Sequence, residues 1–294
     1  MTAFALIEET TRILAPYQEK ISAALDRKIN TLGPKNTLRD ACEYALSNGG
    51  KRFRPALVYL IADGLGNKHD VTEAALAVEL FHTASLIADD LPCMDNDDER
   101  RNKPSLHKVY GETVALLSSY ALIAAGYECL AKNSQSLNNP NADKICVLAL
   151  ENATHNTGLL GATGGQFLDV YPTDLSLTGQ RDVINKKTVS LFEISFVLGW
   201  LFGGGDLAKL HLVKKAAAHF GMAFQIADDI DDQTQDLINH RKINIANATN
   251  VNQATKMFHV ETQQFLETLQ QLNIQLSFAT VLRGSAPGTP DYDL

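Results

Sequence analysis

The sequence predicts an all-α fold carried by a single domain. Three observations point there. Segment after segment places apolar residues at helical spacing, no stretch alternates for long in the period of a strand, and neither an internal repeat nor a linker divides the 294 residues. A chain of this length can bury a large core, and its 45% hydrophobic and 20% charged residues are ordinary for a soluble globular protein. The net charge of −8, with no basic stripe, argues against a nucleic-acid binder. Cys42, Cys93, Cys129 and Cys146 are scattered, with no CxxC, as expected of free thiols in a reducing cytosol. Glu8 and Glu9 interrupt any basic-then-apolar signal pattern. The longest apolar run, Ile194 to Phe202, is short of the ~20 residues a membrane span needs. The expectation is a soluble, cytoplasmic protein with no membrane span.

Taken in order, residues 4–30 form a helix with Leu6, Ile13, Leu14, Ile21, Leu25 and Ile29 on its apolar face. Gly33-Pro34 breaks it, and Thr37 opens the next. Gly49-Gly50-Lys51-Arg52-Phe53-Arg54-Pro55 is a glycine-opened basic turn before an apolar helix. Its backbone amides, with Lys51 and Arg54, suit a diphosphate, and a solvated basic turn is the plainer alternative.

The helix over 71–91 ends in an unusual concentration of charge. Six acids lie within the eleven residues Asp89 to Glu99, and Arg100-Arg101 follow at once. On a continuous helix Asp89 and Asp95 would stand about 240° apart. Pro92 opposes that continuation, so the helix should end near Leu91 and the chain should bring Asp95 back towards Asp89. Carboxylates gathered this way suit a hard cation such as Mg²⁺, which keeps substrate phosphates as partners. His82, seven residues before Asp89, shares the acidic face.

A helix over 112–132 and an asparagine-rich loop lead to a further helix containing Gly161 to Asp169. Its clustered glycines indicate a close approach, either by a ligand or by another helix. The next helix starts near Gln180 and bears Lys186-Lys187-Thr188. The helix after it ends in Phe224-Gln225-Ile226-Ala227-Asp228-Asp229-Ile230-Asp231-Asp232. Asp228 and Asp232 are i, i+4 and share one face with Gln225; their repulsion calls for a cation. Gln233 to Asn250, with Arg241 and Lys242, reads as a mobile flap. A final amphipathic helix spans about 253–279, and 280–294 forms a loose tail.

Five of these stretches, in this order, resemble the trans-isoprenyl (polyprenyl) diphosphate synthase family, of farnesyl and geranylgeranyl diphosphate synthase type. They are Gly49 to Pro55 (GGKRxRP), Asp89-Asp90 to Asp95 with Arg100-Arg101, Gly164-Gly165-Gln166, Lys187-Thr188, and Asp228-Asp229 to Asp232. The resemblance covers roughly residues 40–245. It implies the isoprenoid synthase fold, a helical homodimer whose helices surround a deep central cavity. It also implies a short-chain prenyltransferase that joins isopentenyl diphosphate to an allylic diphosphate (dimethylallyl, geranyl or farnesyl). Asp89, Asp95 and Asp228 would ligate Mg²⁺, three ions with substrate bound, with Asp90, Asp229 and Asp232 as further ligands or supports. Arg100, Lys187, Gln225 and Lys242 would hold the allylic diphosphate, with Thr188 beside Lys187. Lys51, Arg54, His82 and Arg101 would hold isopentenyl diphosphate.

Several positions depart from the family pattern. Ala88 precedes the first acidic motif, Ser119-Tyr120 replaces an expected Gly-Asp pair, Asn102 stands where glycine is usual, and the flap is short of one lysine. Product length should follow from the helix leading into Asp89. Many farnesyl-forming relatives carry a bulky aromatic five residues before the motif, and Ala84 with Ser85 stands here instead. Phe81, about 12 Å below Asp89, is then the next barrier. That predicts a C20 product, geranylgeranyl diphosphate, with C15 farnesyl diphosphate as the alternative. If Phe81 instead lies in the helix packing, Leu116 or Tyr120 would close the cavity. Two other readings remain. A non-catalytic partner subunit of a synthase would not need both acidic motifs, and a class I terpene cyclase would not need a second diphosphate site.

Overall fold

A computed structural model describes residues 3–239 and 241–274, and the chain is helical almost throughout. Helix α1 (Ala3–Ile29) buries Leu14, Ile21, Leu25 and Ile29, as its apolar spacing requires. Helix α2 (Thr37–Ser47) is capped by Asn36, whose side chain accepts from Arg39 N. Helix α3 (Phe53–Gly64) follows the basic turn, and α4 (Thr72–Asp89) carries His82 and Asp89. Two-residue strands, β1 (Glu99–Arg100) and β2 (Lys103–Pro104), form a hairpin too short to leave a periodic trace in sequence. Then come α5 (Leu106–Tyr110), α6 (Glu112–Gln135), α7 (Ala142–Thr157), α8 (Ala162–Val170) and α9 (Leu177–Ile184). A π-helical turn, Asn185–Val189, joins α9 to α10 (Ser190–Phe202). Helix α11 (Leu210–Asp231) follows, with the short α12 (Gln233–Ile238) and α13 (Ile245–Ala248), and α14 (Val251–Leu272).

The core forms around α10, which is buried on nearly every side and touches α3, α4, α7 and α11. Its nearly unbroken apolar sequence leaves it no face for water. Phe192 and Phe196 of α10 pack with Phe220 of α11, and Phe265 of α14 joins them. Helix α4 lies along α6 and α11 along α14, so both acid-bearing helices are fixed by long contacts. By length and mean hydropathy alone α6 could cross a membrane, yet its Ala115, Leu122, Cys129 and Leu130 are buried in this core.

Several expectations change. The glycine-rich stretch opens a helix of its own: α7 stops at Thr157, Gly158 and Gly161 turn the chain, and α8 starts at Ala162 and carries the stretch through Asp169. The flap is not a bare loop, since α12 and α13 form inside it and Asn244, buried, anchors it. Lys186, Lys187 and Thr188 lie in the π turn rather than in regular α-helix. The last helix, expected over 253–279, stops at Leu272, where Asn273 takes a left-handed φ of 60° and caps it; the tail over 280–294 lies outside the described residues.

Candidate active site

Helix α4 ends at Asp89, two residues earlier than expected, and the chain turns back as Pro92 requires. Asp95 N donates to Asp89 O at 2.9 Å, and Asn96 takes a left-handed φ of 54° to complete the turn. Asp89 and Asp95 are thus brought together. Burial pushes the Asp89 carboxyl up to about 7; nearby Lys187 pulls the other way, and Asp95 adds to the rise. Asp90 points elsewhere. It is buried and accepts from Arg100 Nε at 2.9 Å, while Arg100 Nη2 reaches Asp97 at 3.1 Å.

On α11 the second motif divides in the same way. Desolvation, and then Asp232, push the Asp228 carboxyl up to about 6 against the pull of Lys51 and Arg54. Asp229 is buried, and both its oxygens accept from protein donors, Gln225 Nε2 at 2.8 Å and Ile245 N at 2.7 Å. Burial still pushes it up to about 7. Gln225 therefore braces Asp229, not the Asp228–Asp232 face on which sequence spacing put it. Its Oε1 accepts from Thr188 Oγ1 at 2.7 Å, which links the π turn to α11.

The carboxylate oxygens of Asp89 and Asp228 accept no hydrogen bond from a protein donor among the described residues, and both carboxyls hold their protons more tightly than usual. Such oxygens favour a cation. No three carboxylates form a ready-made cluster among the described residues. That suits Mg²⁺, which takes one or two carboxylates and completes its shell with water and substrate phosphate. The donor set therefore fits the ion, with Asp90 and Asp229 placed as supports.

The first basic set also assembles. Arg52 takes φ 46° and turns its guanidinium inward to Glu79 and Leu46 O. That turn sends Arg54 the other way, over the Phe192 ring at 4.4 Å and 3.4 Å from His82 Nε2. Arg54 Nε and His82 Nδ1 are buried without a hydrogen-bond partner among the described residues. Burial, with Arg54 and Arg101 beside it, holds His82 well below the usual histidine range, so it is neutral. Arg101 donates to Gly49 O at 2.6 Å, and its guanidinium covers Gly50, where any Cβ would overlap it. Both glycines take positive φ, 74° at Gly49 and 107° at Gly50, and Gly50 also leaves room for Arg101, delivered from the β1–β2 hairpin.

In the second basic set Lys187 donates to Asp169 on α8. Burial works against its charge, but Asp169 and Asp89 more than offset that and raise its pKa. The approach the glycines signalled is that of another helix: a Cβ on Gly165 would overlap the Lys187 backbone. Lys242 is exposed, with no partner among the described residues. Its neighbour Arg241 instead reaches Asp95 at 2.9 Å, and three residues on Asn244 Nδ2 donates to Asp229 O at 2.8 Å. One short segment therefore spans both acidic motifs. Sequence reasoning missed Asp169 and Asn244, and it gave no role to Arg241 or to the buried Gln166, whose amide has no partner among the described residues. Asp169, at i+3 from Gln166 on the glycine-rich helix, was the one with a readable position.

A family model described as polyprenyl synthetase matches residues 35–271. Geranylgeranyl pyrophosphate synthase 4 of Arabidopsis thaliana is 40% identical over 223 residues, which cover 74% of this chain and 58% of that protein. The chloroplastic geranylgeranyl pyrophosphate synthase of Capsicum annuum is 37% identical over 253 residues, 80% of this chain and 67% of that one. Among solved structures, a geranyltransferase from Legionella pneumophila superposes with a TM-score of 0.81 at 28% identity, covering 95% of this chain and 96% of its own. The geranyltranstransferase of Thermotoga maritima gives 0.73 at 30% identity, covering 91% and 94%. The fold is that of the isoprenoid synthases, and the chain belongs to the polyprenyl synthetase family.

Proposed function

We propose that this chain is a short-chain prenyltransferase, condensing isopentenyl diphosphate with an allylic diphosphate to form geranylgeranyl diphosphate. One observation carries the reading. The carboxylates of Asp89 and Asp228, each without a protein donor among the described residues, stand beside different cations: Lys187 and Arg100 for the first, Lys51 and Arg54 for the second. Two acidic centres with two separate cationic sets match a reaction between two diphosphates.

Asp89, Asp95 and Asp228 would hold Mg²⁺, three ions once substrates are bound, with Asp90, Asp229 and Asp232 in support. Bound there, the metal stabilises the charge of a departing diphosphate. Lys187 and Arg100 orient the allylic diphosphate so that its C1–O bond breaks and leaves an allylic cation. Lys51, Arg54, Arg101 and neutral His82 hold isopentenyl diphosphate, whose double bond attacks C1. The proton then leaves C2 of the isopentenyl unit for the released diphosphate. Phe53, Phe192 and Phe224 form an aromatic cluster, with Arg54 over the Phe192 ring, that would exclude water able to quench the cation.

Ala84 supports the C20 product, since nothing bulky stands there. Phe81, one turn deeper, is buried against Gly126 and edge-on to Tyr127 at 5.0 Å. Leu116 and Tyr120 are exposed on α6. With Leu117 they form an apolar face that supports the homodimer. Four free thiols support a cytoplasmic site of action. The test is incubation of the purified protein with Mg²⁺, isopentenyl diphosphate and each allylic primer. A C20 product is expected, and Ala84→Tyr should shorten it to C15. Wild-type chains ending at C15 would favour the farnesyl alternative, and no product from any primer would favour a non-catalytic partner subunit.

A further inference from the structure

Arg241 lies just beyond α12 and reaches across to the turn after α4. Its Nη1 is 2.9 Å from Asp95 Oδ2 and its Nη2 3.9 Å from Asp97 Oδ2. Asp97 is shared with Arg100, which also holds Asp90. Charges therefore alternate along the rim as Asp90, Arg100, Asp97, Arg241 and Asp95. The Asp95 side chain is only 13% exposed, so solvent screens this last contact poorly. The other end of the segment is tied to the second motif, since Asn244 Nδ2 donates to Asp229 O and to Asp236 Oδ2, both at 2.8 Å. Lys242, one residue away, has no partner among the described residues. The position and reach of this one guanidinium, rather than the general charge of the segment, make the connection.

We propose that Arg241 is a positioning residue: it serves as the resident counter-cation of Asp95, and a divalent cation must displace it to use that carboxylate. The inference rests on the reading of Asp89 and Asp95 as metal ligands. An oxygen that accepts a guanidinium cannot give the same lone pair to a metal, and the two positive charges repel. Metal binding at the first motif and release of the 241–244 segment then become one event. Release is confined to the Arg241 end, because the Asn244 end is held by neutral donors that no cation displaces. Arg241 thereby lowers the affinity of the substrate-free protein for divalent metal.

The test uses the full chain without substrate, with Mn²⁺ as the probe. Its binding is followed by electron paramagnetic resonance, and hydrogen exchange is followed over residues 235–245. Arg241→Gln should bind Mn²⁺ about fivefold more tightly, the factor expected from removing one competing ion pair of this exposure. Arg241→Lys, which keeps a cation in place, should stay within about twofold of wild type. Lys108→Gln, which removes a charge paired to Asp98 at 2.6 Å without touching Asp95, should do the same. In the wild type Mn²⁺ should speed exchange at the Arg241 amide, which donates to Asp236 O at 2.9 Å. That measurement needs no variant to fold. Equal or weaker Mn²⁺ binding by Arg241→Gln, or exchange unaffected by Mn²⁺ in a wild type that binds it, would overturn the displacement. A wild type that binds no Mn²⁺ would remove the metal site and the displacement with it.

Discussion

At the end of α4, Asp90 and Asp95 are held by guanidinium groups, those of Arg100 and Arg241. At the end of α11, Asp229 is held by an amide side chain and a backbone N–H, those of Gln225 and Ile245. Both regions are runs of aspartate beside a helix terminus, yet their supports differ in kind. Ionic partners can be exchanged for another cation at small cost, whereas neutral donors inside the protein have nowhere else to bond. The first region is built to be rearranged by charge, and the second is built as a fixed abutment. A motif read as a row of identical acids thus contains two mechanical roles.

The largest effects should come from the carboxylates the two regions have in common. Asp89→Ala and Asp228→Ala should each lower kcat by about 10²–10³, the loss typical when one group stabilising transition-state charge is removed. Circular dichroism should show the helices intact, and near wild-type rates in both would end the assignment of these two residues. The two cationic sets should separate next. Lys187→Ala should raise KM for the allylic substrate about tenfold with little change for isopentenyl diphosphate, and Arg101→Ala should do the reverse, as expected when one charged hydrogen bond is lost from each site. Equal effects on both substrates would merge the two sites into one.

The supports themselves can be compared by stability. Asp229→Ala leaves the Ile245 N–H and the Gln225 amide without their acceptor and should cost about 1–3 kcal/mol in denaturant unfolding. Asp90→Ala leaves Arg100, whose side chain is 32% exposed, still paired with Asp97 and open to water, and should cost less. If Asp90→Ala proves the costlier of the two, the contrast drawn above is wrong. The smallest effect is a pH dependence. Asp89, Asp228 and Asp229 all hold their protons more tightly in the folded chain than carboxyls with the ordinary value of 3.8. Between about pH 4 and 7 the folded state binds more protons than the unfolded chain, so these groups make stability fall as pH rises. In chelator, Asp89→Asn should reduce the drop in Tm between about pH 5.5 and pH 8 by a few degrees, and Asp228→Asn by less. Identical Tm profiles for wild type and Asp89→Asn would show that Asp89 ionises normally.

The fold class and the order of the helices were readable from apolar spacing, because a chain with so long a core imprints its periodicity on nearly every segment. The basic turn, both acidic motifs and Lys187 were readable for a different reason: chemistry placed them in short, contiguous runs. What stayed hidden was pairing across the chain. Asp169 meets Lys187 from another helix, Asn244 meets Asp229 from a loop, and nothing in either local sequence records the partner. Arg241 and Lys242 are adjacent cations, so sequence alone had no basis for preferring one. The hairpin that delivers Arg101 was invisible because two residues per strand cannot show alternation.

One small feature has a consequence out of proportion to its size. Gly165 allows α8 to lie directly on the backbone of the π turn that carries Lys187. A single methyl group there would act as a wedge. It would lift the turn away from α8, part Lys187 from Asp169, and disturb the Thr188–Gln225 link that runs to the second motif. Every reacting group would still be present, and the chain would keep its helices, yet the tolerances between them would be lost. Where catalysis depends on placing several charges together, the absence of a side chain can matter as much as any functional group.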